Sequence, residues 1–203
     1  MTTLTPGPDG RPRCGWCGDY APFFPYHDRE WGFPVDDDRR LFEKLCLESF
    51  QSGLSWRTIL DKRDNFRAAF DDFDVVKMAR YGEDDIARLL GNAGIIRHRG
   101  KIEAVINNAA RAQELIAEFG SLAAFIWSYE PPEDEIPVPQ SMTTSPASHA
   151  LSKELKRRGW KFVGPTTIFA FMQSMGLVND HAAGCAIRAE VTEARRRFAR
   201  PKP

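Results

Sequence analysis

Two short segments near opposite ends of the chain carry matching sets of metal-ligand residues. Nothing else in the sequence constrains the fold as strongly. Arg13-Cys14-Gly15-Trp16-Cys17 is followed by Tyr26-His27-Asp28, and Asn179-Asp180-His181-Ala182-Ala183-Gly184-Cys185 lies close to the other end. Cys14, His27, His181 and Cys185 would form a tetrahedral site of two sulfurs and two nitrogens, a donor set that suits zinc. If they meet, both ends of the domain are tied together and the residues between must fold as a closed unit. Cys17 keeps an alternative open, because Cys14-x-x-Cys17 has zinc-knuckle spacing and could supply the fourth ligand instead of His27. His181 and Cys185, four apart, would share one face of a helix. A closed four-ligand site is structural as a rule, so chemistry is to be sought between the two ends.

The chain of 203 residues is long enough for one domain with a real core or two small lobes sharing one. No stretch of uninterrupted apolar residues is long enough for a membrane span, and the first residues lack the apolar core of a signal peptide. A cytoplasmic protein is expected, and its four cysteines point to metal or free thiols before disulfides. The 28 basic and 28 acidic side chains cancel, which argues against coating nucleic acid by bulk charge. A local basic face is still allowed, at Arg97-His98-Arg99-Gly100-Lys101, along Lys153 to Lys161, and around Arg195-Arg196-Arg197.

Helical periodicity dominates the middle of the chain. Ile102, Val105, Ile106, Ala109, Ala112, Ile116 and Phe119 form one stripe, and Gly120 supplies a stop. Another helix follows the acids Asp36 to Asp38 and carries Leu41, Leu45 and Leu47. Further helices are expected over about 55–70, 74–81, 83–90, 147–158 and 166–175, with the Pro-rich 130–140 as a loop. No alternating strand run stands out. Residues 1–12 read as a disordered extension, 13–190 as one domain, and 191–203 as a basic, flexible tail.

Leu151 to Arg158 is a basic helix with a glycine stop, and Trp160-Lys161-Phe162-Val163-Gly164-Pro165-Thr166-Thr167 leads into an apolar helix. Gly159 and Gly164 bracket a tight turn, and Pro165 suits a first helical turn. In such a helix–hairpin–helix, backbone N–H groups at the second helix's start can hold a phosphate, with Lys161 and Thr166 adding side-chain contacts. The plainer reading is an ordinary helix–loop–helix with solvated lysines.

Aromatics also gather beside an acid, in Tyr26 to Gly32 with Trp31 and in Leu47 to Trp56 with Glu48, and Trp16 lies upstream of both. Glu48 follows the apolar stripe of its helix and would face the interior or a pocket. A buried carboxylate needs a compensating partner. A cationic heteroaromatic base stacked among Trp and Tyr would provide one. The plainer reading makes the tryptophans core residues and Glu48 a solvated acid.

Taken together, these segments resemble the 3-methyladenine DNA glycosylase I family. The matching residues are Arg13 to Trp16, Tyr26-His27-Asp28 with Glu30-Trp31-Gly32, Leu47-Glu48, Gln51-x-Gly53-Leu54-Ser55-Trp56, Gly94 to Ile102, Leu151 to Thr167, Phe171-Met172-Gln173 and Gly176 to His181. The resemblance implies an all-α helix–hairpin–helix DNA glycosylase fold with one structural zinc held by Cys14, His27, His181 and Cys185, which favours His27 over Cys17. It implies a flipped 3-methyladenine held by Glu48 and Tyr26 and stacked on Trp56, with Trp16 and Trp31 nearby. Lys161, Gly164 and Thr166 would grip double-stranded DNA containing the alkylated adenine. The expected enzyme is a monomer that hydrolyses the glycosidic bond without a lyase step. Its rivals are a zinc-stapled DNA-binding module with no chemistry and a zinc hydrolase with an open coordination position. Ser49-Phe50, Cys17 and the arginine-rich tail depart from the family pattern.

Overall fold

A computed structural model describes residues 3–136 and 138–202. Eleven α-helices are present among them: α1 (Phe23–Arg29), α2 (Asp38–Gln51), α3 (Trp56–Leu60), α4 (Arg63–Ala69), α5 (Val75–Met78), α6 (Glu83–Gly91), α7 (Arg99–Phe119), α8 (Leu122–Trp127), α9 (Pro146–Arg157), α10 (Pro165–Ser174) and α11 (Arg188–Arg197). The expected all-α core is therefore present.

Helix α2 is the central element, packed against α3, α7, α8 and α10. Asp37 caps it, accepting the Arg40 N–H at 2.8 Å, while Asp38 accepts the Ala123 N–H and so docks the start of α8. Leu41, Phe42, Leu45, Cys46, Leu47 and Phe50 are all buried, so this helix is enclosed on nearly every side. Cys46 is thus a core residue. Phe50 packs against Phe66 and Phe70 and leaves the cavity described below untouched. Helix α7 buries Ile102, Val105, Ala109 and Ala112 of the stripe read from the sequence, packs Ile106, Ile116 and Phe119 half-buried against the core, and ends at Gly120, whose φ of 80° is the left-handed value that favours glycine.

The expected helix over 55–70 is divided. Lys62 leaves helical geometry at φ −104° and ψ 1°, and its ammonium is bound by the carbonyls of Ala93 and Gly94. A surface tether thus turns the chain where the apolar pattern alone would continue it.

Both termini are more ordered than the sequence suggests. Leu4–Pro6 (β1) pairs antiparallel with Pro12–Cys14 (β2), placing Leu4 opposite Cys14. The Gly15 N–H adds a bond to the Thr3 carbonyl at 2.8 Å. The segment read as disordered is therefore a small hairpin that delivers Cys14. The segment read as a flexible tail contains most of α11, with Val191 fully buried. Phe198, just beyond that helix, lies 4.6 Å from the Trp127 ring, and Arg195 within the helix and Arg200 past its end both bond Glu130 at 2.9 Å. Arg196 and Arg197 pair with Glu193. Most of the tail's positive charge is therefore balanced within the fold.

The hairpin between α9 and α10 is anchored on every side. Gly159, at φ 82°, ends α9 in a Schellman motif: the Trp160 N–H bonds the Leu155 carbonyl and the Gly159 N–H bonds the Lys156 carbonyl, both at 3.0 Å. The side chain of Asn108, in the middle of α7, accepts the Lys161 N–H and donates to the Lys161 carbonyl, each at 2.9 Å. Ser49 of α2 donates to the Phe162 carbonyl and Ser152 of α9 to the Val163 carbonyl. Asn108, Ser49 and Ser152 are each about 1 % exposed, so the clamps are made in the core.

Candidate active site and metal centre

Cys14, His27, His181 and Cys185 meet in the fold. Their ligand atoms lie within 4.8 Å of one another and all four residues are buried. His27 presents Nε2, which is 3.1 Å from His181 Nδ1 and 3.5 Å from Cys185 Sγ. His181 Nδ1 lies 3.7 Å from Cys14 Sγ and 3.5 Å from Cys185 Sγ. The remaining nitrogen of each imidazole is engaged. His27 Nδ1 is 2.7 Å from Asp28, whose carboxylate is bound by Arg13, and His181 Nε2 is 2.9 Å from the Trp31 carbonyl. Such outer contacts fix ring orientation and direct the inner nitrogens at a common point. Cys17 is buried but stands outside the cluster. His181 and Cys185 do not share a helix as expected. Cys185 joins two successive tight turns, closed by Cys185 N–H to the Ala182 carbonyl and Arg188 N–H to the Cys185 carbonyl, and His181 stands just before the first of them. The Ala182 N–H points at Cys14 Sγ, which holds that turn to the other end of the chain.

Beside this centre opens a cavity of about 450 Å³, within the range of small-molecule sites. Trp16, Tyr26, Trp31, Glu48, Trp56 and Thr166 all line it, as do Gln51, Phe169, Gln173 and Asp180. The structure thus brings the aromatic residues and the acid singled out from the sequence to one place. Thr166, read as a backbone contact, reaches the same cavity. Lys161 and Gly164 lie on the adjoining hairpin and do not line it. His98 caps α7 by accepting the Lys101 N–H, and His149 is exposed, so neither joins the site.

The partner of Glu48 is a residue the sequence reading passed over. Lys44 Nζ lies 2.9 Å from Glu48 Oε1 and 2.7 Å from the Tyr26 hydroxyl, and 3.4 Å above the Trp56 ring. It reaches them from an adjoining crevice and does not line the cavity itself. The internal ammonium therefore takes the compensating role that a cationic ligand was expected to fill. Burial pulls the Lys44 ammonium below the ordinary lysine range, and the Glu48 carboxylate opposes that pull. Burial also pushes the Tyr26 phenol well above its usual range. Tyr26 accepts from Lys44, so its own proton is available for donation. The signal for Lys44 was present as the i, i+4 spacing to Glu48 on one helix.

Asp180 is the second residue missed. It accepts the Gln140 N–H at 2.8 Å and the Gln173 side chain at 2.6 Å. Even so, burial raises its carboxyl above the usual range. Its place in the Asn179-Asp180-His181 run was read only for the metal ligand.

The family model described as methyladenine glycosylase matches residues 16–189. The chain belongs to the methyladenine glycosylase family. It is 48 % identical over 177 residues to DNA-3-methyladenine glycosylase 1 of Escherichia coli (strain K12), covering 85 % of this chain and 95 % of that one. It is 47 % identical over 179 residues to DNA-3-methyladenine glycosylase of Haemophilus influenzae, covering 85 % and 96 %. Among solved structures, a crystal structure of 3-methyladenine DNA glycosylase I superposes with a TM-score of 0.81 at 48 % identity, over 86 % of this chain and 98 % of that one. A structure addressing 3-methyladenine recognition by the Staphylococcus aureus glycosylase superposes with a TM-score of 0.81 at 35 % identity, over 87 % and 96 %. This methyladenine glycosylase family member has no helix among its described residues that is long and apolar enough to cross a membrane.

Proposed function

We propose that this chain is a monomeric DNA repair glycosylase that extrudes 3-methyladenine from alkylated duplex DNA and hydrolyses its bond to the sugar. The observation that carries the reading is the cavity in which Trp16, Tyr26, Trp31 and Trp56 surround the Glu48 carboxylate, in a chain of this family. A base inside a duplex is out of reach, so the nucleotide must leave the stack before reaction. Methylation at N3 leaves the nucleobase cationic. The bond from C1′ to the base then breaks with its electron pair moving to the ring, and a neutral base departs. Water bonds C1′ and releases a proton to solvent, leaving an abasic sugar. Because the leaving group is already activated, less acid catalysis is needed than for a neutral one.

The protein's contribution is recognition and electrostatics. Aromatic faces stack a cationic base. Lys44 holds one Glu48 oxygen, leaving the other to accept from the base. A carboxylate held in this way orients the base and offers negative charge to the developing oxocarbenium state. Lys44 itself is enclosed by its ion pair and lies outside the cavity lining, so among the described residues no lysine lines the cavity to form a Schiff base, and the reaction is read as ending at hydrolysis. At the hairpin, the start of α10 turns its N–H groups outward, and a side chain at Gly164 would meet nothing within 4 Å. That open ground beside a helix start suits a phosphate. Lys161 and Thr166 extend the contact.

The buried four-residue cluster is read as a structural zinc site. Tetrahedral zinc with bonds of about 2.0 Å to nitrogen and about 2.3 Å to sulfur needs donors roughly 3.3–3.8 Å apart. Four of the six donor separations run from 3.1 to 3.7 Å and all lie within 4.8 Å, so a small inward shift of Cys14 would complete the tetrahedron. When bound, the ion supplies cross-linking of the two chain ends and no reaction step.

The test is base release. Incubation with methylated duplex DNA should free 3-methyladenine and leave 7-methylguanine in place. A Glu48→Gln variant with full excision activity would remove the carboxylate from the mechanism. A folded protein that binds duplex but frees no base would instead be a zinc-stapled binding module, a role that has no use for the aromatic cavity.

A further inference from the structure

Among the described residues two lysines are buried, and only one of them has a carboxylate. Lys44 is paired with Glu48, whereas Lys101, 6 % exposed, forms no ion pair. Its ammonium is bound by two main-chain oxygens, the Phe50 carbonyl at 2.9 Å and the Ser52 carbonyl at 2.5 Å. Burial draws its pKa below the ordinary lysine range, and no carboxylate opposes that pull. A buried cation without a counter-charge is costly, and no step of the proposed reaction uses it. What it holds is a helix end. The last carbonyls of α2 have no partner inside the helix and carry the negative pole of its dipole. Lys101 supplies donors and charge to them from 51 and 49 residues away.

That helix end leads into the turn that joins two parts of the cavity wall. Glu48 and Gln51 line the cavity before the turn, and Trp56 lines it after. Between them Ser52, Gly53, Leu54 and Ser55 are all exposed. The turn's own hydrogen bonds are local: Ser52 N–H to the Ser49 carbonyl, Leu54 N–H to the Gln51 carbonyl, and the Thr58 N–H to the Ser55 hydroxyl. Among the described residues, only the Lys101 ammonium bonds it to a distant element.

The helix that carries Lys101 also holds the hairpin. Asn108 stands two turns further along α7, about 10 Å away, and its side chain clamps the Lys161 N–H and carbonyl. Asn107 adds a bond to the Gly159 carbonyl at 2.9 Å. One helix therefore fixes both the turn after α2 and the hairpin before α10, two loops whose exits, Trp56 and Thr166, line the cavity.

We propose that Lys101 is a positioning residue for excision, registering the turn after α2, and with it Gln51 and Trp56, against the hairpin that receives DNA. The inference rests on the reading of duplex DNA as substrate. Lys101 does not line the cavity, so it acts through the turn. Steady-state excision from methylated duplex, hydrogen–deuterium exchange and circular dichroism on the full chain test it.

Lys101→Met keeps the length of the side chain and removes its donors. It should lower kcat about 10- to 100-fold, the scale expected when reacting groups are displaced by about 1 Å. KM should stay within about threefold, because the hairpin is unaltered. Exchange should quicken across 52–56 and stay unchanged in the hairpin, with helicity kept. Lys101→Arg, whose guanidinium can donate to both carbonyls, should bring kcat back to within about threefold of the wild type and slow exchange again. Where Lys101→Met fails to fold, Lys101→Gln, which can donate to one carbonyl, takes its place with the same directions and smaller size. An unchanged kcat in a folded variant would overturn the assignment. So would a loss that follows helicity and reaches the hairpin in exchange, or a raised KM with kcat intact. A wild-type protein that frees no base would remove the substrate reading and the assignment with it, an outcome distinct from a wild type and a folded variant that excise equally.

Discussion

The Lys44–Glu48 pair makes a claim about energy that can be measured directly. The two side chains are 7 % and 6 % exposed and 2.9 Å apart. Removing one partner of such a pair leaves the other charge buried without compensation, at roughly 3–5 kcal/mol. Lys44→Met removes the ammonium at nearly constant volume. It also removes the donor to the Tyr26 hydroxyl and the cation from the Trp56 face. We expect it to fall within that range, about 4 kcal/mol. Glu48→Gln should cost less, about 2–3 kcal/mol, because a buried lysine can shed its proton and a carboxamide still accepts a hydrogen bond. The double variant carries no charge at either position and should lie within about 2 kcal/mol of the wild type. The coupling energy would then be several kcal/mol. Urea unfolding followed by circular dichroism, with an unchanged dependence on denaturant, gives all four corners of the cycle. Single effects that add to the double within about 0.5 kcal/mol would refute the reasoning. They would mean that solvent reaches the pair and that the Glu48 charge is not held by Lys44.

Two other outcomes are expected. Stripping metal with a strong chelator should remove one zinc per chain and unfold the protein, so that excision and helicity decay together. Activity lost while the circular dichroism spectrum stays intact would point to an open, reactive metal instead. Gly164→Ala should leave thermal stability unchanged or slightly raised, since φ there is −64° and no atom lies within 4 Å of the added methyl. The same methyl should weaken duplex binding about tenfold if a phosphate approaches that backbone. Unaltered binding in a salt titration would remove Gly164 from the DNA contact.

What the sequence displays and what it hides follow different physics. The hairpin is legible because Gly159, Gly164 and Pro165 are local backbone requirements, each readable within a turn of its neighbours. The cluster of Cys14, His27, His181 and Cys185 is legible because cysteine and histidine are few and their chemistry is narrow. Lys44 is hidden because a lysine is ordinarily solvated, and its burial depends on Tyr26 and Trp56 arriving from other elements. The order of the tail is hidden because it rests on Glu130, 65 residues from Arg195 and 70 from Arg200. Strands of three residues such as Leu4–Pro6 are too short to show alternation. The division between α3 and α4 depends on carbonyls 31 and 32 residues away from Lys62. In each case the missing information is a partner distant in sequence. The pocket motifs, by contrast, carry a family pattern that brings its distant contacts with it.

The buried cluster has a consequence for the order in which this protein can be made. Cys14 and His27 leave the ribosome more than 150 residues before His181 and Cys185. Early in synthesis Cys14 and His27 have no partners, and metal gathered there would be only half coordinated. The wall of the cavity that Trp16, Tyr26 and Trp31 provide is built on that same early segment. It can be locked in place only when His181 and Cys185 have emerged. A product cut short before His181 lacks both groups that hold this wall from the other side, and so cannot assemble the complete lining.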